Sequence, residues 1–384
     1  MREIDMRQMR RRERLITIAV VVFFLMGLVL VNATLPDLFV MFIAIGGTAG
    51  ALMVMYEVRL TKRIAQAEFV RDLQSGFAND PSIMRLWRKI LLRKRIGARD
   101  RADISSYLTF FETLYLLQER GTVEAGLVDD LFRNRFFSAI GHPRILQATL
   151  VGNPGSFTNI HRLIAHWHDY LLHHGKPIHP GYYAYVNAMV TAKGYELVEL
   201  SLHDLQDLLA LQSSVLRDLP QSSWLRENSE EMLHTCLSAA SAHTATIDHT
   251  ETVRITHRAL GYRRQGVLVA AAILYDGATG DESIRGHFTT DPEQLYASVN
   301  LKLVLSDRAH RRAGLGRALV ELLEQRAADN GKREICCTIH PDNEPSMKLF
   351  TSLGYKRLKK VDTKYGKRVV YARRLSRASV RWFR

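Results

Sequence analysis

The sequence predicts a chain in three parts: two N-terminal transmembrane helices, an all-α cytoplasmic helical domain and a C-terminal α/β domain. Three observations carry that expectation. Two long uncharged runs, Leu15 to Val31 and Leu38 to Tyr56, open the chain. Apolar residues then recur at helical spacing as far as about residue 175. Beyond a breaker cluster, from Lys176-Pro177 to Pro180-Gly181, alternating strands appear. One of these ends at Ser306-Asp307 and runs through a basic glycine loop into a helix.

Composition sets the outer limits. The 384 residues leave room for roughly two or three domains. A hydrophobic fraction of 47% excludes wholesale disorder. The formal charge of +14, from 53 Lys+Arg against 39 Asp+Glu, calls for an anionic partner: nucleic acid, an acidic membrane surface or a phosphorylated cofactor. The only cysteines are Cys236, Cys336 and Cys337, with no metal-ligand spacing. That usage fits a reducing compartment and leads us to expect no metal.

Residues 1–14 form a basic N-terminus with six arginines against three acids. The two apolar runs cover 17 and 19 residues and are joined by a polar turn at Asn32–Asp37. Such lengths match a transmembrane hairpin over 15–56. Positive charge outside both runs places both termini in the cytoplasm of an inner-membrane protein. Gly46 and Gly50 form a GxxxG that suits close helix packing, within the hairpin or in a homo-oligomer. Arg85 to Arg101 carries eight Lys/Arg and one Asp, a basic amphipathic stretch that suits anionic membrane lipids or a solvated helix face.

Within the helical domain, 57–180, Tyr107, Phe110, Phe111, Leu114 and Leu117 mark one helix, and Leu127, Leu131, Phe132 and Phe136 a second. A third runs from Ile160 to His173. His166, Asp169 and His173 share a face of it, in a spacing that matches no established zinc pattern. A short tyrosine-rich connector follows Gly181. Tyr195–Leu202 then alternates as a strand, Leu205–Leu216 is helical, and a second helix starts near Asn228. Thr252–Tyr262 and Gly266–Tyr275 read as two strands around a tight turn.

The sharpest signal is Arg311-Arg312-Ala313-Gly314-Leu315-Gly316, between the strand Ser298–Leu305 and a helix from Arg317. Glycines let backbone amides approach a diphosphate, and the helix N-terminus adds its positive end. A further strand, Glu334–Ile339, follows, then Asn343-Glu344-Pro345-Ser346-Met347-Lys348-Leu349-Phe350-Thr351-Ser352-Leu353-Gly354-Tyr355. The paired signatures, R/Q-x-x-G-x-G/A and N-x-x-A-x-x-L-Y-x-x-x-G-F/Y, resemble those of the GNAT superfamily of N-acetyltransferases. The resemblance covers roughly 190–375 and implies a mixed, mostly antiparallel sheet with acetyl-CoA in a cleft where two central strands splay.

Carried over by that resemblance, Leu303 and Leu305 offer main-chain groups to the pantetheine. Arg311, Arg312, Ala313, Gly314, Leu315, Gly316 and Arg317 hold the pyrophosphate, and Asn343 with Ser346 lies near the pantetheine or 3′-phosphate end. Phe350 stands where the family usually has a tyrosine acid, and a phenyl ring has no proton to donate. No residue is assigned as acid or base. The implied activity is transfer of an acetyl group from acetyl-CoA to an amine at the cytoplasmic face. The alternative is a non-catalytic scaffold or CoA-sensing module of a membrane assembly. A basic tail, 376–384, closes the chain. Its cations and those of the membrane flanks are scattered rather than gathered on one reading helix, which argues against nucleic acid.

Overall fold

The computed structural model describes Met26 and residues 36–238, 243–247, 251–255, 257–276, 283–363 and 366–375. The basic N-terminus, the first apolar run apart from Met26, and the tail at 376–384 lie outside the described residues. The chain divides into two compact units, 1–73 and 74–384.

Helix α1, Pro36–Asn79, is 44 residues long and absorbs the second apolar run. No proline or glycine interrupts it where the charges begin, so it continues through Glu57, Arg59, Lys62 and Arg63. Among the described residues no helix is long and apolar enough to cross a membrane. The expected two-span hairpin is therefore corrected, and with it the inner-membrane address. The end of a charge-free run does not mark the end of its helix, which is bounded by Asn79, far into polar sequence.

In the second unit, α2 (Pro81–Leu91) starts at an Asp80 cap, whose Oδ1 accepts from the amides of Ser82 and Ile83 at 2.8 and 3.0 Å. Ile83 and Leu86 point inward, and two of the basic stretch's cations find acids within the fold. Arg85 pairs with Asp103 at 2.8 Å and Lys89 with Asp100 at 2.5 Å, which ties α2 to α3 (Arg101–Glu119). With α4 (Ala125–Ile140) and α5 (Thr158–His173) these helices enclose an aromatic core. Phe111 meets Phe136 at 4.9 Å, and Phe136 stacks on Trp167 at 5.1 Å. Buried Asp129 accepts from Trp167 Nε1 at 2.8 Å and from Lys176 Nζ at 2.6 Å.

The tyrosine-rich connector is a helix, α6 (Pro180–Thr191). Pro180 opens it, where no backbone donor is needed, and His179 Nδ1 accepts from the Gly181 amide at 3.0 Å. Tyr182, Val186 and Val190 recur every four residues, so one face is apolar throughout.

The remaining elements are β1 (Glu196–Glu199), α7 (Leu205–Arg217), α8 (Glu230–Leu237), β2 (His243–Ile247), β3 (Glu251–Ile255), β4 (Arg258–Arg264), β5 (Val267–Tyr275), α9 (Pro292–Ala297), β6 (Ser298–Ser306), α10 (Leu315–Asp329), β7 (Glu334–Ile339), α11 (Glu344–Ser352), β8 (Lys356–Thr363) and β9 (Gly366–Arg374). A seven-stranded sheet has the order β1-β4-β5-β6-β7-β9-β8. The β6–β7 pair is parallel and every other pair in it antiparallel. The expected strand 252–262 is split, because Glu251–Ile255 pairs with β2 in a separate two-stranded sheet. Helix α10 packs on one face of the large sheet and α7 and α8 on the other. Helix α6 covers the outer side of α10.

Candidate acyl-CoA site

The site begins with an irregularity in β6. Leu274 pairs with Leu301 but Ile273 pairs with Leu303, so Lys302 is the extra residue of a β-bulge. The bulge reverses the alternation. Val299 and Leu301 face α10, whereas Leu303 and Leu305 are buried against α7 and α8. Pairing with β7 stops at the same place, after Asn300 and Cys336. Beyond it β6 and β7 diverge, and the β7-side edge of Leu303–Leu305 has no ladder partner. The sheet thus opens into a cleft towards the C-terminal ends of two parallel strands.

At the end of β6 the chain turns under tight local control. The amide of Asp307 donates to Val269 O, and Asp307 Oδ1 accepts from the Ala309 amide, both at 2.9 Å. Arg312 (φ 66°) and Gly314 (φ 88°) adopt the left-handed conformation, which aims successive amides outward. The first backbone bond of α10 runs from Ala318 N to Gly314 O, so the amides of Leu315, Gly316 and Arg317 have no helical acceptor. Buried Leu315 anchors this turn, while Arg311 and Arg312 are exposed beside it. A Cβ on Gly316 would lie 3.7 Å from Val304 and 3.9 Å from Leu349, ordinary contact distances that agree with a Gly/Ala position. These donors, three arginines and a positive helix end fit a diphosphate.

The loop is braced by the segment after α6. Lys193 Nζ donates to Ala313 O at 3.2 Å, and the Tyr195 hydroxyl meets His310 Nδ1 at 3.2 Å. Asn343 caps α11, its Oδ1 accepting from the Ser346 amide at 3.2 Å, so these two expected site residues meet each other at a helix start. Helix α11 reaches the loop through Leu349, and through Ser352 Oγ, which accepts from Arg317 Nη2 at 2.7 Å. The expected residues 311–317 are therefore contiguous at the cleft mouth, with 343–352 beside them. Phe350 and Tyr355 are both buried and pack edge to face at 4.9 Å, so neither ring offers a group to the cleft surface.

A second polar constellation escaped the sequence reading. Glu321 and Glu324, on the outer side of α10, are each only 1% exposed. Glu321 Oε1 accepts from the Tyr182 hydroxyl of α6 at 3.1 Å and lies 3.4 Å from Arg317 Nη1. His168 of α5 stacks on Tyr182 at 4.3 Å and approaches Glu321 at 3.6 Å. Glu324 is ion-paired with Arg373. Burial pushes the Glu321 carboxyl up to about 7, against the pull of Arg317. Burial also pushes the His168 imidazole down to about 3, so that contact joins a neutral ring to a carboxyl group. Spacing could have paired Glu321 with Glu324 on one helix face, but only the partner helix shows that this face is covered. Farther along, a cavity of about 570 Å³ lies between α5 and the β8–β9 pair, lined in part by Lys176, Arg285, Glu324 and Arg373, and includes none of residues 303–317. No group of three His, Cys, Asp or Glu able to hold a metal ion occurs among the described residues.

Residues 223–355 match the acetyltransferase (GNAT) family model. Among solved structures, an N-acetyltransferase from Staphylococcus aureus Mu50 is 15% identical, with a TM-score of 0.35, over 47% of this chain and 99% of that one. The ribosomal-protein-S18-alanine N-acetyltransferase from Escherichia coli is 17% identical, with a TM-score of 0.32, over 49% and 97%. A putative acetyltransferase from Salmonella typhimurium, solved with its cofactor acetyl-CoA, is 16% identical, with a TM-score of 0.34, over 49% and 97%. No curated protein matches the chain. The match to the acetyltransferase (GNAT) family lies in the C-terminal half of this chain, over residues 223–355.

Proposed function

We propose that the chain is an acyl-CoA-dependent N-acetyltransferase. The observation that carries this reading is the juxtaposition of the left-handed loop at 312–314 with the cleft between β6 and β7. The loop presents amides and arginines to a diphosphate, and the unpaired edge of Leu303–Leu305 runs inward from it, where a pantetheine arm can pair with main-chain groups. The acceptor nitrogen forms a C–N bond to the thioester carbonyl carbon and the C–S bond breaks. The thiolate takes up a proton, and the new amide nitrogen gives one up. Fixing both partners in one cleft supplies effective molarities of up to about 10⁵–10⁸ M for such a step.

A second reading, a CoA-sensing module without turnover, draws on Phe350, which occupies the usual tyrosine position and is buried against Tyr355. Calorimetry of the full chain with acetyl-CoA, followed by thiol release in the presence of an amine panel, separates the two. Saturable binding that is lost in Gly314→Glu, together with amine-dependent thiol release, is the expected result. Binding without thiol release would favour the sensing module, and absence of binding would overturn both.

A further inference from the structure

The cleft has a roof and a guanidinium beneath it. Helix α7 ends at the β6 side of the opening, where Ser214 Oγ donates to Asp307 Oδ2 at 3.3 Å and Asp218 lies 4.0 Å from Arg308. The chain from Asp218 to Trp224 then crosses to the far side of β7, where Ser223 O accepts from Arg368 Nη2 at 3.0 Å. Arg368 sits on β9 one position before Val369, the partner of Ile339 at the end of β7. Val369 and Tyr371 face α10, so the alternation of the strand puts Arg368 on the α7/α8 face. That is the face on which Leu303 and Leu305 lie.

Arg368 is 7% exposed, and among the described residues its hydrogen bonds go to backbone carbonyls, Ser223 O and Lys367 O. Among the described residues no carboxylate pairs with it. Burial disfavours its charge, and no acid among the described residues offsets that. A buried cation without a counter-charge is costly, and a planar guanidinium suits an oxyanion better than any other group. Its surroundings are of the same sign: exposed Lys356, Arg357, Lys359, Lys360, Lys367 and Arg374 share the β8–β9 pair with a single acid, Asp362. Such a field attracts anions and repels amines that carry only positive charge.

We infer that Arg368 selects the acceptor, and that the acceptor is an amine whose own molecule carries an oxyanion, a carboxylate or a phosphate. The inference rests on the acyl-CoA reading for what happens to the amine, but not for the recognition of its anion. A purely structural Arg368, stapling the 218–224 segment to β9, would support stability and leave acceptor preference untouched.

The test titrates matched pairs into the full chain, with and without CoA: an amino acid against its amide, and phosphoethanolamine against ethanolamine. The anionic member of at least one pair is expected to bind at least tenfold tighter, and the pair that discriminates identifies carboxylate or phosphate. Arg368→Gln is expected to reduce that ratio to within about twofold of unity, and Arg368→Lys to retain part of it. Equal binding within both pairs, binding of no amine, or a ratio that survives in Arg368→Gln would overturn the inference. Where Arg368→Gln fails to fold, the wild-type pairs decide the anion preference and Arg368→Lys decides the role of Arg368, since a ratio left unchanged in it would also overturn the inference. Loss of CoA binding with the anion preference intact would sink the acyl-CoA reading alone.

Discussion

Gly314 and Gly316 do different work two residues apart. Gly314 has open space where a Cβ would be, but its φ of 88° strains any L side chain. Gly316 has ordinary backbone conformation and room for one methyl. Gly316→Ala should therefore keep acetyl-CoA affinity within a fewfold, whereas Gly314→Val should lower it by at least tenfold and cost about 1–2 kcal/mol of stability. Titration calorimetry and denaturant unfolding check the two halves of this expectation. Glu321 makes a pH prediction. The unfolded chain loses this proton near the ordinary value of 4.5, the native state only near 7. Between those values the native state holds the extra proton, so stability falls as pH rises through the window and is flat above it. His168 and His179, pushed down by burial to about 3 and about 4, act oppositely, because the unfolded chain takes up their protons below about 6.5. The difference between wild type and Glu321→Gln isolates the carboxyl group. The advantage of the glutamine variant should grow by roughly 3 kcal/mol between pH 4.5 and 7.5, then level off. A gap independent of pH would show that Glu321 does not titrate there.

At the scale of elements, the sequence exposed those whose signals are local. Alternation gave β6 and β7, and the glycine pair gave the loop between β6 and α10. The bulge at Lys302 has no such signal, because LKLVL reads as unbroken alternation and the extra residue appears only against β5. Helix α6 was missed for a related reason: aromatic and β-branched residues are weak helix formers, and its helicity comes from packing on both sides. On one side Gly181 passes so close to α4 that a Cβ would lie 1.9 Å from Phe137 O. Backbone cannot yield as a flexible side chain does. Gly181→Ala should destabilise the second unit by about 1–3 kcal/mol, measured by denaturant unfolding, while Gly155→Ala, with open space around it, should be nearly neutral. Equal effects at the two positions would show that α6 is free to shift.

For the whole molecule, the transmembrane expectation failed because charge-free length measures hydropathy locally, whereas the extent of a helix is set by what ends it. The opposite failure concerns the junction of the helical and α/β layers. Nothing in the sequence singles out Glu321, Glu324 or Arg368, because a carboxylate at helical spacing or an arginine on a strand gives no local signal of burial. Only tertiary structure shows these groups buried. Residues 74–384 form one compact unit. Tyr182 reaches Glu321, Val186 and Val190 join the core that includes α10 and the sheet, and Leu172 lies 3.5 Å from where a Cβ on Gly354 would be. Separation of the two layers would strip these contacts from both at once, which favours all-or-none unfolding. The 74–384 fragment should therefore lose its near-ultraviolet aromatic signal, to which the buried Phe136–Trp167 pair contributes, at the same denaturant concentration as its far-ultraviolet signal. It should also bind acetyl-CoA as the full chain does. Two resolved transitions, the first without loss of acetyl-CoA binding, would mean that the helical layer folds separately and that its contacts to α10 contribute little to holding the diphosphate loop.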